Sequence, residues 1–308
     1  MALHDVPAPA KINLFLHVTG RRPDGYHLLE TAFRFIGLYD TFSFDTRTDG
    51  RIEREGAGVE GLAADDDLVV KAARVLQQAT GTRQGAQISY EKRIPTGGGL
   101  GGGSSDAATT LIALNRLWNT GLDRQALMRL ARPLGADVPV FIYGQPAFAR
   151  GIGDVFEPLQ LPERAYVVVQ PPQHVPTAAV FSASDLTRDS ECIRIAVFTD
   201  WQTENAPQNG FYKNGFFGSN NLEPVVFSRY PRVAAAAKWL AQQGVSVRMS
   251  GSGACLFVEF VTQAEAALFR AEILSKIASR ANDCAAVIQG SWACPGLLDH
   301  PLRHWVRN

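Results

Sequence analysis

The chain has 308 residues, 30 Lys+Arg against 30 Asp+Glu, and 46% hydrophobic content. That length allows one large domain or two modest ones, and the balanced charge advertises neither nucleic acid nor an anionic membrane as a partner. No apolar run approaches the roughly 20 residues of a spanning helix, and Met1 to Asp5 lack the basic-then-apolar pattern of a secretory leader. Cys192, Cys255, Cys284 and Cys294 have neither zinc nor C-x-x-C spacing and read as buried or partly buried thiols in a reducing cytoplasm.

After Pro7 and Pro9 the run Lys11 to Val18 alternates. Ile12, Leu14, Leu16 and Val18 share one face of a predicted strand; Lys11, Asn13, Phe15 and His17 share the other. Pro23-Asp24-Gly25 predicts a turn, and Tyr26 and His27 follow it. Leu28–Ile36 and Thr41–Asp45 read as strands. Asp67 precedes a predicted helix through Gln78, with Val69, Ala72, Ala73 and Leu76 on one side. A strand over Ile88–Ile94 then delivers Pro95, Thr96 and a loop with six glycines in seven residues: Gly97, Gly98, Gly99, Leu100, Gly101, Gly102, Gly103. Ser104, Ser105 and Asp106 read as the start of the next helix, where Ala107, Leu111, Leu114 and Trp118 recur at helical spacing.

Glycine lets a ligand approach the main chain closely, and a helix N-terminus fed by such a loop suits phosphate. A flexible linker would be bordered by polar low-complexity sequence, whereas this loop lies between a β-rich run and an amphipathic helix. It is not a P-loop, because no lysine lies between Gly97 and Ser105. Gly97, Gly99 and Gly102 match dinucleotide G-x-G-x-x-G spacing, but a second helix follows instead of a strand with a ribose-binding acid. A dinucleotide oxidoreductase is therefore a minor alternative.

Asp123 reads as the cap of a helix to about Leu134, and Asp137, two residues before Pro139, as the cap of a short one. Phe148 to Phe156, with Gly151 and Gly153, predicts strand and turn. A second pattern follows: strand Tyr166–Val169, helix Val233–Gln243, strands Val245–Met249 and Cys255–Glu259, helix Ala264–Leu274 and closing strand Ala285–Gln289. The expected fold is α+β, with domains at 1–160 and 161–308, the second an antiparallel ferredoxin-like sandwich with helices on one face. Asp189 to Ser219 is polar and irregular and reads as a long loop or insertion. The turn Ser250-Gly251-Ser252-Gly253 is a hairpin by itself. Paired with the first loop, it lets backbone from both domains reach one ligand in the cleft between them.

Together the lysine-bearing first strand, the glycine loop and the Gly-Ser-Gly turn resemble the galactokinase, homoserine kinase, mevalonate kinase and phosphomevalonate kinase superfamily. Ala8 to Leu14, Arg22 to His27, Gly99 to Ala108, Leu134 to Pro139 and Asn220 to Pro224 resemble its branch acting on a cytidyl-diphospho sugar alcohol. That resemblance implies ATP-dependent phosphorylation of the 2-hydroxyl of a cytidyl-linked methylerythritol, in non-mevalonate isoprenoid precursor synthesis. It also implies a small-molecule substrate and a choice between monomer and weak dimer that the sequence leaves open.

By the same resemblance, Pro95 through Ser105 hold ATP phosphates, and Mg²⁺ bridges them with Ser104 or Ser105 as the hydroxyl in reach. Asp137, otherwise a simple cap, accepts the proton of the substrate hydroxyl. Lys11, otherwise a solvated edge-strand charge, sits beside Asp137, and an ion pair there is expected to lower the carboxyl pKa. Asn13 shares the face of Lys11 and lines the substrate site. Tyr26 and Phe181 are expected to stack on cytosine from opposite sides, with His27 hydrogen-bonding to its edge; without the resemblance, Tyr26 and His27 read as a core tyrosine and a surface histidine.

Overall fold

The computed structural model describes residues 1–56, 63–204, 215–279 and 287–308. Two long strands open the chain, β1 (Ala2–Arg21) and β2 (His27–Arg47), joined through the Pro23-Asp24-Gly25 turn. They pair antiparallel along nearly their whole length, from Ala2 against Asp45 to Arg21 against His27. The two strands expected at 28–36 and 41–45 are thus one. β2 also pairs with β4 (Gly85–Glu91) through residues 41–47 and with β5 (Ala147–Arg150) through residues 31–33. β3 (Ile52–Arg54) and β6 (Val155–Pro158) complete the first sheet; only the β3–β4 pairing is parallel.

A register shift between Asn13 and Leu16 breaks the alternation expected in β1. Phe15, assigned to the polar face, is fully buried with Ile12 and Leu14, while Leu16 and Val18 join a different core. A bulge inserts a residue and re-aims the side chains beyond it. Lys11 and Asn13 precede it and keep their shared face.

Helices α1 (Leu68–Thr80), α2 (Gly102–Leu117), α3 (Arg124–Ala131) and α4 (Val138–Tyr143) cover one face of this sheet around Phe42, Phe44, Ile88, Leu111 and Leu114. Asp67 caps α1 by accepting from the Val69 amide at 2.9 Å, and Asp123 caps α3 by accepting from Ala126 at 2.7 Å, the latter as the sequence implied. The strand read as Ile88–Ile94 runs instead over Gly85–Glu91, because Asp40 accepts from the amides of Arg93 and Ile94 and turns the chain out of the sheet.

The second sheet is antiparallel, in the order β10 (Gly290–Pro295), β7 (Ala165–Gln170), β9 (Leu256–Phe260) and β8 (Arg248–Met249). Its strands alternate. Val167, Val169, Leu256 and Val258 face the core shared with α7 (Glu223–Arg229), α8 (Pro231–Ala241) and α9 (Gln263–Ser279), while Tyr166, Val168 and Phe257 meet Ile12, Phe15 and Phe148 of the first sheet. Each fully buried aliphatic or aromatic side chain contributes about 1.5–3 kcal/mol, so the sheet-to-sheet cluster holds the two halves together.

The closing strand lies at 290–295, not at Ala285–Gln289; residues 280–286, with Cys284, fall outside the described residues. Cys255 and Cys294 are buried as expected, but Cys192 is exposed. The stretch 189–219 is not simply a loop. It contains α6 (Ile195–Glu204), whose Phe198 is buried against Phe15 and Phe217, and residues 205–214 within it lie outside the described residues. The tail crosses back over the first sheet's core, where Leu302 and Val306 are buried. Among the described residues no helix is long and apolar enough to cross a membrane.

Candidate active site

A cavity of about 1030 Å³ opens between the two sheets, at the upper end of the roughly 300–1,000 Å³ typical of small-molecule sites. Every sequence-predicted site residue lines it except Ser105, which is fully buried. Ser105 is therefore no hydroxyl ligand for anything in the cavity; Ser104 remains in reach.

The glycine loop closes one side. α2 begins at Gly102, two residues earlier than read from the sequence, after Gly101 in the left-handed region at φ 71°. No side chain caps it, so its first N–H groups lack intrahelical partners, and Gly102, Gly103 and Ser104 border the cavity. The loop is strapped to the second glycine turn. Ser250 Oγ donates to Gly99 O at 2.9 Å, Ala254 N to Gly97 O at 3.3 Å, and Cys255 N to Gly98 O at 3.1 Å. A Cβ on Gly99 would lie 2.0 Å from Ser250 O, so only glycine permits this approach.

The Asn220-Asn221 motif, matched in the sequence without a role, holds the second turn against β1. Asn220 Nδ2 donates to Met249 O and Gly251 O at 2.9 and 2.8 Å, and Asn221 Oδ1 accepts from the Val18 amide at 2.7 Å.

Lys11 and Asp137 meet at the centre, with Lys11 Nζ 3.1 Å from Asp137 Oδ2. The lysine is buried, at 4% side-chain exposure, and the carboxylate is open to the cavity at 36%. Lys11 is therefore not the solvated edge charge that composition alone favours. Its ammonium also donates to Asn13 Oδ1 at 2.7 Å, and Asn13 Nδ2 donates to Thr31 Oγ1 at 2.9 Å. Asp137 occupies the N-cap position of α4, but its side chain makes no capping bond. The carboxylate is left to the cavity and to Lys11.

Two buried carboxylates and a half-buried lysine, missed by motif reading, stand beside the loop. Lys92 Nζ lies 2.5 Å from both Asp40 Oδ2 and Asp106 Oδ2. Burial works against the Lys92 charge, but the two carboxylates outweigh it and raise the ammonium pKa. Burial pushes the Asp106 carboxyl well above the usual range despite the pull of Lys92. This cluster ties the N-terminal part of α2 to the interior of β2, across 52 residues of sequence between Asp40 and Lys92.

At the far end, Tyr26 is 59% exposed, and the His27 and Phe181 rings lie 5.1 Å apart with planes inclined by 37°. Phe181 ends the short helix α5 (Thr177–Phe181). Burial, then Arg188 and Arg21, lowers the His27 pKa.

Residues 67–145 match the model of the GHMP kinases N-terminal domain, and residues 206–278 that of the GHMP kinases C-terminal domain. A protein of Bordetella parapertussis named 4-diphosphocytidyl-2-C-methyl-D-erythritol kinase is 58% identical, with 99% of each chain covered. One of the same name from Aromatoleum aromaticum is 50% identical over 99% of this chain and 97% of its own. The chain belongs to the 4-diphosphocytidyl-2-C-methyl-D-erythritol kinase family of GHMP kinases. A crystal structure titled as the 4-(cytidine 5'-diphospho)-2C-methyl-D-erythritol kinase superposes with TM-score 0.74 at 32% identity, covering 96% of this chain and 99% of that one. A homoserine kinase from Cytophaga hutchinsonii, at TM-score 0.64 and 18% identity, shares the fold. As a member of this kinase family, the chain is an ATP-dependent small-molecule kinase with the two-part α+β fold read from its sequence.

Proposed function

We propose that the chain transfers the terminal phosphoryl group of ATP to the 2-hydroxyl of 4-diphosphocytidyl-2-C-methyl-D-erythritol, a step in non-mevalonate isoprenoid precursor synthesis. The observation that carries the reading is the Lys11–Asp137 pair at 3.1 Å, in one cavity with the glycine loop on one side and the Tyr26, His27 and Phe181 slot on the other.

Phosphoryl transfer asks the protein chiefly for positioning and charge stabilisation. The free N–H groups of the glycine loop and the α2 N-terminus hold the ATP phosphates. Lys11, fixed by Asn13, neutralises charge on the moving group. The Asp137 carboxylate accepts a hydrogen bond from the substrate hydroxyl and then its proton, and its pairing with Lys11 fixes its orientation. Tyr26 and Phe181 stack on the cytosine, and His27 hydrogen-bonds to its edge.

Among the described residues no cluster of three or more His, Cys, Asp or Glu could hold a metal. Mg²⁺ is taken to arrive on the nucleotide, since this ion draws most of its ligands from phosphate and water. Ser104 would hold it from the protein side. When bound, the ion neutralises phosphate charge.

The domain division at residue 160, the cytoplasmic location and a monomer or weak dimer complete the proposal. An assay of ADP release tests it: turnover with the cytidyl-diphospho substrate and none with free homoserine or mevalonate is expected, and the reverse preference overturns it.

A further inference from the structure

Arg188 belongs to none of the motifs that mark the family, yet its guanidinium reaches both the Phe181 wall and the edge-facing histidine of the proposed base slot. Nη2 donates to Phe181 O at 3.1 Å and Ala183 O at 2.6 Å, and Nη1 to Leu186 O at 3.0 Å. These bonds occupy carbonyls at and beyond the end of α5, which carries Phe181. The fourth bond runs to the side chain assigned to the base's edge, from Arg188 Nε to His27 Nε2 at 3.1 Å.

An arginine N–H can only donate, so Nε2 of His27 must accept. A neutral imidazole that accepts at one nitrogen carries its proton on the other, and His27 is therefore the Nδ1–H tautomer. A protonated ring would have to donate at both nitrogens and would lose this bond. The lowered proton affinity of His27, from burial and from Arg188 and Arg21, is consistent with a neutral ring.

We propose that Arg188 is a positioning residue for base selection. It locks His27 in the Nδ1–H tautomer and ties that histidine to the Phe181 wall, so that the slot offers the edge of the base an N–H donor. Cytosine has a lone pair at N3, where uracil has an N–H. A donor set against that position accepts the first and opposes the second, and a site built around such a bond rejects the mismatched partner strongly. The inference rests on reading this end of the cavity as the cytidyl site, but the tautomer itself can be measured without substrate.

The test uses the full chain labelled with ¹⁵N, with the His27 signals assigned by their loss in His27→Gln. Long-range proton–nitrogen spectra of the ligand-free wild type should show Nδ1 protonated and Nε2 bare. In Arg188→Lys that pattern should be lost. The KM for the cytidyl substrate should rise roughly tenfold, the scale of one or two lost hydrogen bonds, with kcat and the KM for ATP near wild type. The preference for cytidyl over uridyl substrate should narrow as well. Arg188→Gln provides a second variant should the lysine form fold poorly. An Nε2–H tautomer in the wild type overturns the proposal, as does an unchanged tautomer and KM in a folded Arg188 variant. Absence of any turnover of the cytidyl substrate by wild type would instead sink the substrate reading, and the spectra would still decide the tautomer.

Discussion

Replacing Gly99 by alanine tests whether the two glycine turns form one unit. Gly99 sits at φ +72°, and its added Cβ would lie 2.0 Å from Ser250 O and 3.1 Å from Gly253 N. Carbon does not approach a carbonyl oxygen that closely, so the turns must part by about an ångström or more. Parting them strains or breaks three hydrogen bonds, from Ser250 Oγ, Ala254 N and Cys255 N to the carbonyls of Gly99, Gly97 and Gly98. At about 1 kcal/mol each, plus about 1–2 kcal/mol for a side chain in the left-handed region, the loss comes to about 4–5 kcal/mol. Gly81 isolates the backbone contribution, since it sits at φ +65° with nothing within 4 Å of an added Cβ. Urea unfolding of Gly99→Ala and Gly81→Ala should differ by about 3 kcal/mol, from the lost bonds. The folded fraction of Gly99→Ala should also show a raised KM for ATP. If the two variants unfold within about 0.5 kcal/mol of each other, the strap between the turns does not exist.

Tyr26→Ala and Phe181→Ala should raise KM for the cytidyl substrate, on the scale of about 1–3 kcal/mol of stacking per base, and leave KM for ATP alone. Equal shifts in both constants would contradict the slot. Lys92→Met leaves Asp40 and Asp106 buried without their cation and should destabilise by about 3–5 kcal/mol, with partial recovery in Lys92→Met/Asp106→Asn; additive losses in thermal melts would refute the coupling. His300 is fully buried, and burial, then Arg124, lowers its pKa from 6.5 to about 3. The unfolded chain takes up that proton first, so the contribution is complete above pH 6.5 and lost progressively towards pH 3. At about 1.36 kcal/mol per pKa unit, wild type should lose about 2 kcal/mol between pH 6.5 and 5 from this group. His300→Gln should show a flatter slope in denaturant midpoints, and equal slopes would remove His300 as the cause.

Local pattern carried much of the site. The shared face of Lys11 and Asn13, the glycine loop ahead of α2, and Asp137 at the start of α4 all follow from spacing within a few residues. The bulge after Asn13 was not legible, because apolar residues fill both faces of β1 and mask the change of register. The Asp40–Lys92–Asp106 cluster, the Ser250 strap and the Arg188 bridge join residues 14 to 161 positions apart. Only tertiary folding brings such groups together, and no periodicity records them. α6 was hidden by the polar residues around it, although Ile195, Phe198 and Trp201 recur at every third position.

The most direct test is the rate of ADP release with saturating ATP and cytidyl-diphospho methylerythritol, in wild type and Asp137→Asn. A fall in kcat on the order of 10² or more, at an unchanged melting temperature, is the expected result if the carboxylate beside Lys11 takes the hydroxyl proton. Near-normal turnover by the amide would contradict that role.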